Sequence, residues 1–280
     1  MTFTEKLHAA WRAADSLLCV GLDPQLDRLP AALRGERQPL LAFSKRIIEA
    51  TLPHACAYKP QFAYYAAEDR LDELRETIAF LRAAAPDRLV ILDAKRGDIG
   101  STAEQYAREA FEVYGADAVT VNPYLGGDTL EPFTRFADRG VIVLCKTSNP
   151  GSAELQDLEL AAGGPLYLEV ARRASRDWNA NGNIALVVGA TYPDELARIR
   201  AAVGDLPVLV PGIGAQGGDL EATLRAGLDG AGWGLLLNSS RGILYASAGA
   251  DFAAAAGRAA RELQQAAAAL RATILGERST

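Results

Sequence analysis

Short apolar runs recur along the chain, separated by longer amphipathic stretches. The runs are LLCVGLD (17–23), HACAYKP (54–60), RLVILDAK (88–95), DAVTVNP (117–123), VIVLCKTS (141–148), NIALVVGAT (183–191), LPVLVPGIG (206–214) and GAGWGLLLNSS (230–240). Val, Ile and Leu follow one another in them with little polar alternation, as in strands covered on both faces of a parallel sheet. The stretches at 38–51, 68–85, 101–114, 128–139, 163–179, 192–202, 217–226 and 250–272 read as helices. In DELRETIAFLRAAA, Leu74, Ile78 and Leu81 share one helical face. Ser101 reads as an N-cap, and Glu104 completes a capping-box pattern with it. Eight strands alternating with eight helices predict an α/β fold, a (β/α)8 TIM barrel in one domain over 1–280. A doubly wound open sheet is the alternative, which the regular count disfavours. Residues 1–16 precede the first strand and read as a helix closing the barrel bottom.

Composition narrows the function classes. The chain has 280 residues, 49% hydrophobic and 23% charged, enough to bury a sizeable core. A net charge of −6 argues against non-specific nucleic-acid binding but leaves room for a local anion site. Glu5, Lys6, Arg12 and Asp15 interrupt any signal-peptide core. No apolar run reaches the ~18 residues a membrane span needs. A cytoplasmic protein with no membrane partner is expected. Cys19, Cys56 and Cys145 sit in apolar runs without CxxC spacing and read as small buried hydrophobes in a reducing compartment. His8 and His54 are the only histidines, so neither a zinc site nor any other metal is expected.

In a barrel of this kind the chemistry collects at the C-terminal ends of the strands. The first run ends on Asp23 and the second on Lys59. The third ends on Asp93 and Lys95, with Asp98 just beyond, and the fourth on Asn122. The fifth leads into Lys146, Thr147 and Ser148. Asp93 and Lys95 are one residue apart, so on a regular strand both point to the interior. There they would meet Lys59 and Asp23, and opposite charges can keep one another ionised in a dry pocket. One such pair is read equally well as a structural ion pair at the rim; two converging sets favour a site. The segment PGIGAQGG (211–218) has four glycines before a helix, a backbone cradle for an anion. In NSSRG, Arg241 adds a planar fork suited to phosphate, and Gln216 adds an amide. These residues describe a barrel enzyme for a small phosphorylated substrate, working without metal or nucleotide cofactor. Residues 149–162 form a longer loop, read equally as a lid or a surface insertion.

DAKRGDIGST, with LCVGLDP, AYKPQFAYY, CKTSNPGS, PGIGAQGG and NSSRGILYA, resembles the orotidine 5'-phosphate decarboxylase family, most closely its longer bacterial branch. The resemblance runs from the first strand to Arg241. It implies decarboxylation of orotidine 5'-phosphate to uridine 5'-phosphate, the last step of de novo pyrimidine synthesis, with no cofactor. It implies a homodimer with shared active sites. It implies that Lys95 protonates the C6 carbanion and that Asp93 sits beside the departing carboxylate. Lys59 and Asp98 complete a Lys-Asp-Lys-Asp network, with Asp98 and Thr102 reaching across from the partner subunit. Asp23 is similar to the residue that binds a ribose hydroxyl, and Gln216 and Arg241 to the phosphate ligands. Ser148 is similar to the reader of the pyrimidine amide, with Thr147 and Ser152 as neighbouring candidates. The rivals are a metal-dependent sugar-phosphate decarboxylase on the same barrel, a Schiff-base aldolase using Lys59, Lys95 or Lys146, and a non-catalytic phospho-ligand sensor.

Overall fold

The computed structural model describes residues 1–213 and 219–278. Its eight strands are β1 (Leu18–Leu22), β2 (Ala57–Pro60), β3 (Leu89–Arg96), β4 (Ala118–Val121), β5 (Gly140–Lys146), β6 (Ile184–Val188), β7 (Val208–Pro211) and β8 (Leu235–Ser239). All pairs are parallel and follow chain order. The sheet closes where Leu18, Cys19 and Val20 of β1 meet Leu237, Asn238 and Ser239 of β8. The expected (β/α)8 TIM barrel is the fold. The continuous apolar runs have the expected cause. Every residue of β1, β2, β4, β6 and β8 is buried, with side chains facing either the barrel interior or the helical layer.

The helices are α1 (Phe3–Ala14), α2 (Pro39–Thr51), α3 (Phe62–Ala66), α4 (Leu71–Ala84), α5 (Gly100–Arg108), α6 (Glu131–Thr134), α7 (Ala153–Gln156), α8 (Leu166–Arg176), α9 (Pro193–Val203), α10 (Leu220–Gly227), α11 (Arg241–Leu244) and α12 (Phe252–Arg278). Leu74, Ile78 and Leu81 of α4 are buried as a stripe. Two helical readings need correction. The stretch 128–139 holds only the four-residue α6, preceded by 3-10 turns at Pro123–Leu125 and Gly127–Thr129. Pro123, Gly126, Gly127 and Pro132 keep that connection from forming a long helix. Ser101 is not an N-cap. Gly100 takes a left-handed φ of 51° and starts α5 earlier, after Ile99, with no side-chain cap. Glu104 lies 3.6 Å from Arg135 instead. A capping box does form at the start of α1, where Thr2 Oγ1 accepts from Glu5 N–H and Glu5 accepts from Thr2 N–H.

The N-terminal helix does close the barrel bottom. Phe3, Leu7, Ala10 and Trp11 of α1 are buried. Phe3 fills the space under the first residue of β5, since a Cβ on Gly140 would lie 2.4 Å from its ring. Trp11 stacks on Trp233 at 6.0 Å. A well-packed plug of this kind cannot collapse around a missing ring. Phe3→Ala is therefore expected to lower unfolding stability by about 3–5 kcal/mol in denaturant titration. A loss under about 1 kcal/mol would show that α1 does not seal the barrel.

Candidate active site

Asp93 of β3 sits at the centre of a charge array at the C-terminal end of the barrel. Its Oδ2 accepts from Lys59 Nζ of β2 at 2.8 Å, and its Oδ1 accepts from Lys95 Nζ at 2.7 Å. Thr120 of β4 donates its hydroxyl to the same Oδ1 at 2.8 Å. Lys59 Nζ also stands 3.9 Å from Asp23 Oδ1 at the end of β1. Burial alone would push the Asp93 carboxyl up. The two ammonium groups outweigh it and hold the carboxyl well below the usual carboxylate range. Burial would likewise lower Lys59, but Asp93 and Asp23 hold it above the ordinary lysine value. Both groups are therefore charged at neutral pH in a nearly dry setting.

Lys95 reaches this array by an irregular route. The regular-strand argument for Asp93 and Lys95 does not hold, because the β3–β4 register shifts between Leu92 and Arg96. Lys95 takes a left-handed φ of 46°, a conformation that costs a non-glycine residue of order 1–3 kcal/mol. Thr120 Oγ1 supports the turn by accepting from the backbone N–H of Ala94 at 3.0 Å and of Lys95 at 2.9 Å. The Lys95 side chain is 47% exposed and stands at the cavity wall. Asp93 and Lys59 are almost wholly covered. Lys95 is thus the most exposed of the three charges.

The array forms part of the wall of a cavity of about 760 Å³. Ser148 and Thr147 line it on one side, and Arg241 and Gly212 on another. Three cavity-lining residues hold a buried oxygen with no hydrogen-bond partner among the described residues: Asn238 Oδ1, Ser240 Oγ and Asp23 Oδ1, the last ion-paired with Lys59. Among the described residues, no cluster of three or more His, Cys, Asp or Glu is placed to hold a metal ion. Cys19, Cys56 and Cys145 are buried and unpaired. Burial pushes the Cys19 and Cys145 thiols up to about 12, so neither is a nucleophile at neutral pH.

The expected site residues divide into groups. Asp23, Lys59, Asp93, Lys95, Ser148 and Arg241 come together around the cavity. Asp98 and Thr102 do not line it. The Asp98 carboxylate accepts from Ile99 N–H at 2.8 Å, and Thr102 is exposed on α5. Gln216 lies outside the described residues. Thr147 donates its hydroxyl to Asn149 at 2.6 Å, and Ser152 accepts from Lys146 Nζ at 3.5 Å, while Ser148 and Thr147 line the cavity and Ser152 does not. Asn122 faces its own backbone, accepting from Tyr124 N–H at 3.0 Å. Lys146 is buried against Asp157 and does not open on the cavity, which removes it from Schiff-base chemistry there. Sequence reasoning missed Thr120, Asn238 and Ser240. Thr120 hides in AVTV as an ordinary β-branched strand residue. Asn238 and Ser240 were visible as polar residues ending an apolar run, a signal applied only to Arg241.

A model of the orotidine 5'-phosphate decarboxylase / HUMPS family matches residues 16–257. The Bordetella pertussis protein named orotidine 5'-phosphate decarboxylase is 56% identical over 97% of this chain and 100% of its own length. Its Janthinobacterium namesake is 56% identical over 95% of this chain and 98% of that one. The solved structure of Leishmania donovani OMP decarboxylase superposes with a TM-score of 0.83 at 44% identity, covering 97% of this chain and 99% of that one. With matches this long on both sides, the chain belongs to the orotidine 5'-phosphate decarboxylase / HUMPS family.

Proposed function

We infer that this chain is a carboxy-lyase converting orotidine 5'-phosphate to uridine 5'-phosphate in pyrimidine synthesis. The observation that carries the reading is Asp93, gripped by Lys59 and Lys95 at 2.8 and 2.7 Å in a cavity of nucleotide size. Loss of CO2 leaves an electron pair on C6 of the pyrimidine. An ammonium held at that carbon stabilises the developing charge and then supplies the proton. Lys95 has the reach and exposure for this step. Asp93, fixed by two cations and Thr120, faces the departing carboxylate, and Lys59 keeps Asp93 ionised. Asp23, Asn238 and Ser240 offer oxygens for the ribose hydroxyls. Ser148 reads the pyrimidine amide, and Arg241 with Gln216 binds the phosphate. Binding energy at the phosphate helps order the reacting end.

The unit of function is a homodimer of barrels, each formed by one domain over 1–280. Asp98 and Thr102 serve the partner's cavity. Ile99 and Tyr124, beside the ends of β3 and β4, are 63% and 78% exposed, apolar surface next to Asp98 that a second copy would cover. Among the described residues no helix is long and apolar enough to cross a membrane, which suits a cytoplasmic enzyme.

Formation of uridine 5'-phosphate by the purified chain tests the reaction. A second experiment tests the phosphate end. Arg241→Ala is expected to weaken uridine 5'-phosphate binding at least about 30-fold, a loss of about 2 kcal/mol, while uridine binding stays within twofold. Equal weakening of both ligands in calorimetry would place Arg241 away from the phosphate.

A further inference from the structure

A wholly buried lysine that takes no part in the charge array stands at the end of β5. Lys146 is 0% exposed, bonds Asp157 Oδ1 at 2.5 Å, and lies 4.7 Å from the Tyr192 ring centroid. Ser152 Oγ, 3.5 Å away, also approaches Tyr192 OH at 3.4 Å. The next residue repeats the tie. Thr147 N–H donates to Gln156 Oε1 at 2.9 Å, and Gln156 Nε2 donates to Thr147 Oγ1 at 2.8 Å. Residues 146 and 147 are therefore fastened to 157 and 156, and the loop between them is closed at its neck by two adjacent cross-links.

Desolvating Lys146 costs free energy that a partner as exposed as Asp157, at 41%, only partly returns. What an ion pair adds is a fixed register, and here the fixed neighbours face the cavity. Ser148 and Gln156 both line it. Ser148 is wedged against the end of β6, where a Cβ on Gly189 would lie 2.9 Å from Ser148 Cβ. Gly189 N–H donates to Lys146 O at 2.8 Å, so the backbone leading into Ser148 is held.

We propose that Lys146 and Asp157 form a positioning pair that sets Ser148 and Gln156 against the amide edge of the pyrimidine. Neither Lys146 nor Asp157 touches the ligand; both act through the neck of the loop. The proposal rests on reading the cavity as a pyrimidine nucleotide site. Lys146→Met removes the charge from the core without leaving a buried ion, since Asp157 is 41% exposed and can be hydrated. Lys146→Met with Asp157→Asn removes both charges. Binding of uridine 5'-phosphate and of ribose 5-phosphate is measured by calorimetry, alongside thermal unfolding. Both variants are expected to bind uridine 5'-phosphate at least about tenfold more weakly and ribose 5-phosphate within twofold of wild type, whatever their unfolding midpoint. Uridine 5'-phosphate affinity within twofold of wild type, or equal weakening of both ligands, would overturn the proposal. Wild-type protein that fails to prefer uridine 5'-phosphate would instead overturn the nucleotide reading beneath it.

Discussion

Replacing Lys95 with alanine is expected to lower kcat by at least about 10³-fold while leaving the barrel folded. General acid catalysis typically contributes 10²–10⁴-fold, and a fixed charge beside a developing anion adds a comparable factor. The fold survives because Asp93 keeps its other partners, Lys59 at 2.8 Å and Thr120 at 2.8 Å. The Lys95 side chain is 47% exposed, so its removal opens no buried cavity. The loss should fall on kcat, because an interaction made mainly in the transition state leaves ground-state binding little changed. Steady-state kinetics with unfolding controls measures this. A variant within about tenfold of wild type, a loss of about 1.4 kcal/mol, would take Lys95 out of the proton-donor role.

Mixing two inactive variants is expected to restore activity. Asp98 lies three residues past Lys95 in sequence, yet its carboxylate turns to Ile99 N–H and does not line its own cavity. A charge held there serves catalysis only if a second subunit receives it. A two-fold interface makes every donation reciprocal. Asp98→Ala and Lys95→Ala should each be nearly inactive alone. In a heterodimer, one cavity carries both defects and the other carries neither. With random exchange about half of the dimers are mixed, so about a quarter of wild-type activity should return. If mass-tagged subunits show exchange and the mixture stays inactive, Asp98 does not act across an interface.

How much of this was legible from residue order depends on the range of the interaction involved. The barrel was legible because strands covered on both faces must be apolar throughout, and the runs around Val20, Ile91, Ile142 and Leu236 obey that requirement. The convergence of Lys59, Asp93 and Lys95 was legible because all three end neighbouring runs, although one such pair alone reads equally well as a structural ion pair at the rim. The left-handed turn at Lys95 was not, since it depends on Thr120 from the next strand accepting two backbone bonds. The neck of the 147–156 loop was hidden for a similar reason. Nothing local to Lys146 announces a partner at Asp157, and the pairing exists only once the barrel buries Lys146. The start of α5 was misplaced by weighing Ser101 and Glu104 above the conformational freedom of Gly100.

The central claim is that this cavity decarboxylates orotidine 5'-phosphate through its own charged side chains. The most direct test is turnover by purified wild-type chain, followed by ultraviolet absorbance, before and after exhaustive chelation of divalent metals. The account predicts stoichiometric uridine 5'-phosphate and CO2 at a rate that chelation leaves unchanged. No uridine 5'-phosphate, or activity that chelation removes and a divalent cation restores, would contradict it. The second result would mean that the reaction depends on a metal ion and not on the charged side chains alone.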